Sequence, residues 1–323
     1  TMPINTPDGL PAKTILQQEH IFALEEDAAS HQRIRPLRVA ILNLMPTKIE
    51  TETQILRLIS KSPIQVSCDF MRVSSHESKN TSADHLVKFY DTFDAYKDEN
   101  YDGLIVTGAP VEHLPFAEVD YWDELCEIMD WSQEHVFSTM YLCWGAMAGL
   151  YHFYGIDKRL LPAKLFGVFP QRLCDEYSFL TNGFDEVHNM PHSRHAAIDT
   201  GELANHPELI TLSEGFNSGP ALVATEDFHE IYVTGHFEYG RDTLADEYWR
   251  DFHRGLPIRL PENYFPDDDP ENQPIFTWRA HANLLYRNWL NWVYQMTPYE
   301  LDEIPAAIKS LRAKTYGMAD KFD

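Results

Sequence analysis

Between residues 37 and 155 the chain alternates between two hydrophobic rhythms, and this alternation limits its possible folds more than any other feature. LRVAILNLM (37–45), YDGLIVTGAP (101–110) and HVFSTMYLC (135–143) are nearly continuous apolar runs, the pattern of strands covered on both faces. IQVSCDFMRV (64–73) alternates apolar and polar residues. Between these lie ETETQILRLIS (50–60), SADHLVKFYDTF (82–93), EVDYWDELCEIMDWS (118–132) and GAMAGLYHFYG (145–155), each with helical spacing. Strands that alternate with helices must be joined by crossovers, which predicts an α/β fold with a mostly parallel sheet and helices on both faces. Ligands of such sheets bind at the carboxyl ends of the strands.

Beyond residue 155 the texture changes. KLFGVFPQRL (164–173), ELITLSE (208–214), ALVATED (221–227) and HEIYVTGHFEYG (229–240) are strand-like without long helices between them, and they are expected to complete the same sheet. DTLADEYWRDFHR (242–254) is helical, and PENYFPDDDPENQP (261–274) reads as a polar loop. In FTWRAHANLLYRNWLNWVYQM, the residues Trp278, Ala282, Leu285, Trp289, Trp292 and Met296 recur three or four apart, predicting an amphipathic helix that packs on the core or on a second subunit. Residues 1–36, with a helical stretch in KTILQQEHIFALEED, read as an N-terminal arm, 37–300 as a single catalytic domain and 301–323 as a C-terminal tail.

The formal charge of −24 argues against a broad nucleic-acid or anionic-membrane surface, so any anionic ligand needs a local basic pocket. Four scattered cysteines, Cys68, Cys126, Cys143 and Cys174, contain no C-x-x-C pair and fit a reducing compartment. No apolar run is long enough to span a bilayer. The opening residues TMPINTPDGLPAK lack a basic region followed by an apolar one, so a cytoplasmic location is expected.

Cys143 ends an apolar strand and is followed by Gly145 and small residues, the layout of a strand-turn-helix nucleophile elbow, although Tyr141 stands where such elbows carry a first glycine. A helix N-terminus there would favour the thiolate. The alternative is an ordinary core cysteine. Among fifteen histidines, His236 in TGHFEYG stands at a strand end with Glu238 two residues on, so in an extended segment both side chains leave one face. The three could then serve as nucleophile, base and orienter. His188, His192 and His195 invite a metal reading, but Pro191 excludes the helix that an i, i+4 ligand pair requires, and no metal is expected. No P-loop or G-x-G-x-x-G follows any strand.

The segments LNLMPTKIETETQ (42–54), HESKNTS (76–82), TGAPVEHLPFAEVDYW (107–122), YLCWGAMAGLYHFYGI and TGHFEYGRDTLADEY strongly resemble the homoserine O-acyltransferases of the MetA type, over residues 2 to about 300. The resemblance implies a class I glutamine amidotransferase-like (flavodoxin-like) fold and acyl transfer from acyl-CoA to homoserine. It places the acyl-thioester cysteine on Cys143, the proton acceptor on His236 and the third catalytic residue on Glu238. It further places substrate contacts on Lys164, Ser193 and Arg250, an oxyanion-binding backbone N–H near Trp144, and the selector of the acyl donor on Glu112, where glutamate goes with acetyl and glycine with succinyl. Arg250 suits an amino-acid carboxylate because a planar guanidinium grips it with two hydrogen bonds. Expected partners are acetyl-CoA as co-substrate, L-homoserine and a second copy of the chain in a homodimer; no permanently bound cofactor is expected.

Overall fold

The computed structural model describes residues 35–75 and 82–317, together with 4–6, 9–11, 14–15 and 23–25. Among the described residues, twelve strands join one sheet: β1 (Ile4–Thr6), β2 (Ala23–Glu25), β3 (Leu37–Leu42), β4 (Val66–Arg72), β5 (Tyr90–Thr92), β6 (Tyr101–Val106), β7 (Val136–Leu142), β8 (Lys158–Leu173), β9 (Val187–Ile198), β10 (Leu209–Gly215), β11 (Gly219–Thr225) and β12 (Glu230–Val233). Their order is β2-β1-β4-β3-β6-β7-β12-β11-β10-β8-β9, with β5 paired to β4. Every pairing from β2 to β12 along this order is parallel, and every pairing from β12 to β9 is antiparallel.

The crossovers that make the first half parallel are α1 (Lys48–Ile59), α2 (Ala83–Phe89), α3 (Trp122–His135) and α4 (Trp144–Tyr154). Helices α5 (Thr243–His253), α6 (Arg279–Met296) and α7 (Ile304–Tyr316) follow the sheet. Strands β6 and β7 are buried at every position, which is why their sequences show no alternation. Two apolar clusters result, one on each face: Ile41, Ile105, Phe137, Leu142, Ile231 and Val233 look toward one, Ala40, Leu104, Val106, Tyr141 and Tyr232 toward the other.

Several expectations need correction. The stretch after α2, expected to stay helical to Phe93, turns into β5 because β4 offers a free parallel edge at Phe70–Arg72. Within KTILQQEHIFALEED, Thr14 and Ile15 are helical as expected, but Ala23–Glu25 form a strand that pairs with β1; most of that segment, and HESKNT of the HESKNTS motif, lie outside the described residues. On α6 the residues Trp278, Ala282, Leu285, Trp289 and Trp292 are buried as expected, and Trp289 Nε1 donates to the buried Ser138 Oγ at 3.0 Å. Met296 is 45% exposed instead, at the helix end beyond the core. Residues 304–316, expected within a tail, form a helix with Ile304 and Ile308 buried, packed on α3 and β7. None of the helices among the described residues is long and apolar enough to cross a membrane.

The largest surprise is β9. VHNMPHSRHAAI carries a proline and three histidines, yet it runs antiparallel to β8 with Val168 opposite Pro191. Its inward positions, His188, Met190, His192, Arg194 and Ala196, are buried while Asn189, Ser193 and His195 are only half-buried. Three polar inward residues in five, His188, His192 and Arg194, conceal the strand period from a hydrophobicity reading.

Candidate active site

The parallel register brings the ends of β6, β7 and β12 level: Val106 pairs with Tyr141, and Leu142 with Val233. Cys143 comes directly after β7 and its backbone departs from both strand and helix, with φ 49° and ψ −112°. A side chain at positive φ is strained, so the surroundings must enforce it. They do so through Cys143 N, which donates to Val233 O at 2.7 Å, and Cys143 O, which accepts the first helical bond from Met147 at 3.2 Å. The turn also needs Gly145, where a Cβ would lie 2.7 Å from Thr107 O, so the missing side chain lets α4 start against the β6 loop. The elbow is therefore real, and Cys143 is no ordinary core cysteine, although it is 97% buried (3% exposed).

Opening α4 at Cys143 leaves the N–H groups of its first turn, Trp144 among them, without helical partners. Trp144 N also faces Gly108, since a Cβ built on Gly108 would lie 3.7 Å from it and 3.3 Å from Cys143 Cβ. That cleft suits a developing oxyanion on a group attached to the sulfur.

His236 and Glu238 were expected in an extended segment. Instead β12 ends at Val233 and TGHFEYG is a loop that leaves the sheet. The cause is close packing on β9: His236 N donates to Pro191 O at 2.8 Å, and a Cβ at Gly235 would lie 2.4 Å from Met190 Sδ. The pair forms all the same, with 2.6 Å between His236 Nδ1 and Glu238 Oε1. Tyr239 N turns back to His236 O at 3.3 Å, and the Tyr239 ring stacks on the imidazole at 4.1 Å and 10°. Burial alone would lower the His236 pKa, but the charge and hydrogen bond of Cys143 and of Glu238 raise it well above its ordinary value. The raised pKa favours the protonated imidazole beside the Cys143 sulfur.

A second cluster lies between β8, β9 and α5. Glu247 accepts from Ser193 Oγ at 3.0 and 2.9 Å and from Lys164 Nζ at 2.5 Å, and Arg250 Nη2 lies 3.7 Å away. The structure thus gathers Lys164, Ser193 and Arg250 around one carboxylate that the sequence reading missed. The signal was available: Glu247 and Arg250 are one helical turn apart on α5. Arg250 is half-exposed and holds Asp251 with two bonds, 2.7 and 3.0 Å.

Glu112 lies in the loop after β6 and is buried. Burial raises its pKa, opposed by a backbone bond and by the charges of His236, His113 and Lys164, which locates it between the two clusters. Arg194, also missed, is 1% exposed and donates to Ser218 O at 2.5 Å and to Ala196 O. Burial lowers its pKa to about 10, opposed by Cys143 and Glu112, so a buried guanidinium adds positive potential near the thiol. The three histidines of β9 diverge: His188 pairs with Ser213 at 3.1 Å, His192 lies 3.4 Å from Gln171, and His195 packs on His113. No group of three His, Cys, Asp or Glu among the described residues could hold a metal ion.

The sequence profile of the homoserine O-succinyltransferase family matches residues 3–299. The chain belongs to that family. Among curated relatives, the homoserine O-acetyltransferase of Bifidobacterium adolescentis is 63% identical over 97% of this chain and 92% of its own. The homoserine O-acetyltransferase of Desulfitobacterium hafniense strain Y51 is 54% identical over 94% of this chain and 99% of its own. A glutamine amidotransferase structure from Methylobacillus flagellatus covers 80% of this chain and 95% of its own, with TM-score 0.50 at 10% identity. That last likeness shows the fold alone: this chain has the class I glutamine amidotransferase-like architecture.

Proposed function

We propose that this acyltransferase moves an acetyl group from acetyl-CoA to the hydroxyl of L-homoserine through an acyl-cysteine intermediate. The observation that carries the reading is the juxtaposition of a strained, buried elbow cysteine with an imidazole whose other nitrogen is held by a carboxylate at 2.6 Å. The names of its relatives support the donor and acceptor.

The steps balance in protons. Cys143 thiolate attacks the thioester carbonyl, and the oxyanion is met by N–H groups at the start of α4. As the carbonyl re-forms, the C–S bond to CoA breaks and the His236 imidazolium gives its proton to the departing sulfur. Having given up its proton, the imidazole is neutral in the acyl-enzyme, and the Cys143 charge that helped to raise its pKa is gone. It can now take the hydroxyl proton of homoserine. The oxygen attacks the acyl-cysteine, and collapse releases the ester and restores the thiolate–imidazolium pair. Thioester to oxygen ester runs downhill, which drives the cycle.

Arg250 suits the acceptor's carboxylate and Glu247 its ammonium, with Ser193 between. A succinyl donor would set a second carboxylate against buried Glu112, whereas acetyl presents only a methyl group. We place the reaction in the cytoplasm, on the route to methionine, in a homodimer. Intact mass spectrometry after mixing with acetyl-CoA or succinyl-CoA tests the reading: one acetyl mass on Cys143, discharged by homoserine, is expected. A label on Cys68, Cys126 or Cys174, preferential succinylation, discharge by serine before homoserine, or rapid loss to water alone would each overturn the part it concerns.

A further inference from the structure

A cavity of about 1070 Å³ lies between α1, the loop after His236 and the first turns of α5 and α6. It exceeds what a drug-sized ligand fills, and an amino acid would occupy only a corner. Its lining is unlike the rest of the chain. The protein carries 26 Lys and Arg against 50 Asp and Glu. Yet Lys48, Arg57, Lys61, Arg241 and Arg279 line this cavity against Glu50, Glu238, Asp242 and Asp246, five cations to four carboxylates.

Lys48 is spoken for: its ammonium donates to Asn43 O at 2.6 Å and Met45 O at 3.3 Å. Lys61, Arg241 and Arg279 make no ion pair among the described residues. Arg241 Nε is moreover buried with no hydrogen-bond partner among the described residues, an orphaned donor in the wall of the cavity. Arg279 lies over the Phe276 ring at 5.5 Å, which sets a charge beside a flat apolar surface. A guanidinium fork and an aromatic face together suit a phosphorylated nucleotide.

The charge is also graded. Glu50 feels Asp246, Arg250 and Glu247, so the first turn of α1 marks the end next to the acceptor cluster. Lys61 stands in the turn past the far end of α1, whose stretch from Glu50 to Ile59 alone rises about 14 Å. At the inner end Glu238 and Tyr239 line the cavity, and Tyr239 stacks on His236. At that inner end the cavity is one side chain away from the imidazole that must protonate the departing sulfur.

We infer that this cavity binds the phosphate-bearing nucleotide of the acyl-CoA donor, with Lys61, Arg241 and Arg279 on its phosphates and Phe276 against its base. The inference rests on the donor being an acyl-CoA. The pantetheine arm then runs past Tyr239 to Cys143.

The test compares acetyl-CoA with acetyl-pantetheine, which lacks the nucleotide, in the full chain and in Lys61→Gln, Arg241→Gln, Arg279→Gln and the triple variant. The ratio of kcat/KM for acetyl-CoA to that for acetyl-pantetheine is expected to fall several-fold in each single variant and at least tenfold in the triple. A general structural lesion lowers both donors together and leaves that ratio alone. ADP is expected to compete with acetyl-CoA in the wild type and to lose affinity in the triple variant. An unchanged ratio overturns the assignment, and so does ADP that binds here without competing with acetyl-CoA. Absence of any acyl-enzyme from acetyl-CoA in the wild type would instead defeat the proposed reaction, a distinct result.

Discussion

The two halves of the sheet treat their functional residues differently. On the parallel side, Cys143 is fixed by its own backbone: a positive φ, a bond to β12 and contact between Gly145 and Thr107 leave the thiol one place to be. On the antiparallel side, Lys164, Ser193 and Arg250 stand on β8, β9 and α5, and what unites them is a shared carboxylate, Glu247. One region is built by covalent geometry and packing, the other by polar side chains that a substrate can displace. The difference teaches that a reaction can be kept constant while its acceptor and donor are adjusted, because the adjustable groups do not hold the elbow in shape.

The largest effect should come from breaking the rigid side. Cys143→Ala is expected to lower kcat by at least about a thousandfold and to abolish the acyl mass shift, with little change in thermal midpoint. Alanine keeps the Cβ and leaves the bond from residue 143 N to Val233 O in place, so the elbow should hold, and a collapse of stability would contradict this account of it.

Next in size is Glu238→Gln, expected to lower kcat by about a hundredfold. Its pH dependence is more telling. The imidazolium survives to high pH because Cys143 and Glu238 raise the His236 pKa, so activity that needs the ion pair is present below that raised pKa and is lost as pH climbs through it. Removal of the Glu238 charge should move the alkaline limb of kcat/KM for acetyl-CoA toward lower pH. A limb that stays put would show that Glu238 only shapes the loop. His236→Ala combined with Glu238→Gln should cost no more than His236→Ala alone, since both damage one unit.

The adjustable side should respond in KM and specificity. Arg250→Gln removes a charge-assisted pair worth about 1.5–3 kcal/mol and should raise the KM for homoserine roughly tenfold to a hundredfold, with acyl-enzyme formation unchanged in a single-turnover assay. Slower acylation would mean that Arg250 acts on the rigid side after all. Smallest of the four, Glu112→Gly is expected to shift preference toward succinyl-CoA by about tenfold, roughly 1.4 kcal/mol, measured as the ratio of kcat/KM for the two donors. No shift would remove Glu112 as the selector.

Much of the parallel half was legible because its strands are buried on both faces and its helices on one, so each element writes its own period into the sequence. β3, β6, β7 and α4 lie within a few residues of the expected places. β9 was not legible: His188, His192 and Arg194 point inward, bonded to Ser213, Gln171 and Ser218, and partners so distant in sequence cannot be foreseen from local pattern. His236 and Glu238 were paired correctly for a reason that proved incomplete, since a loop pinned by Pro191, not an extended strand, brings them together.

By itself, then, the sequence determined the α/β class, left an elbow at Cys143 as one of two readings and, through its resemblance to a known family, supplied the membership and the residues to inspect. Each depends on local pattern or on motifs, which a single chain carries in full. Only the tertiary structure decided that Glu247 joins Lys164 and Ser193, that Arg194 adds positive potential near the thiol, and that Lys61, Arg241 and Arg279, with no ion pair among the described residues, gather in one cavity of an acidic protein. Those are meetings of residues tens to hundreds of positions apart, and they come into being when strand register and helix packing set distance, burial and dielectric together.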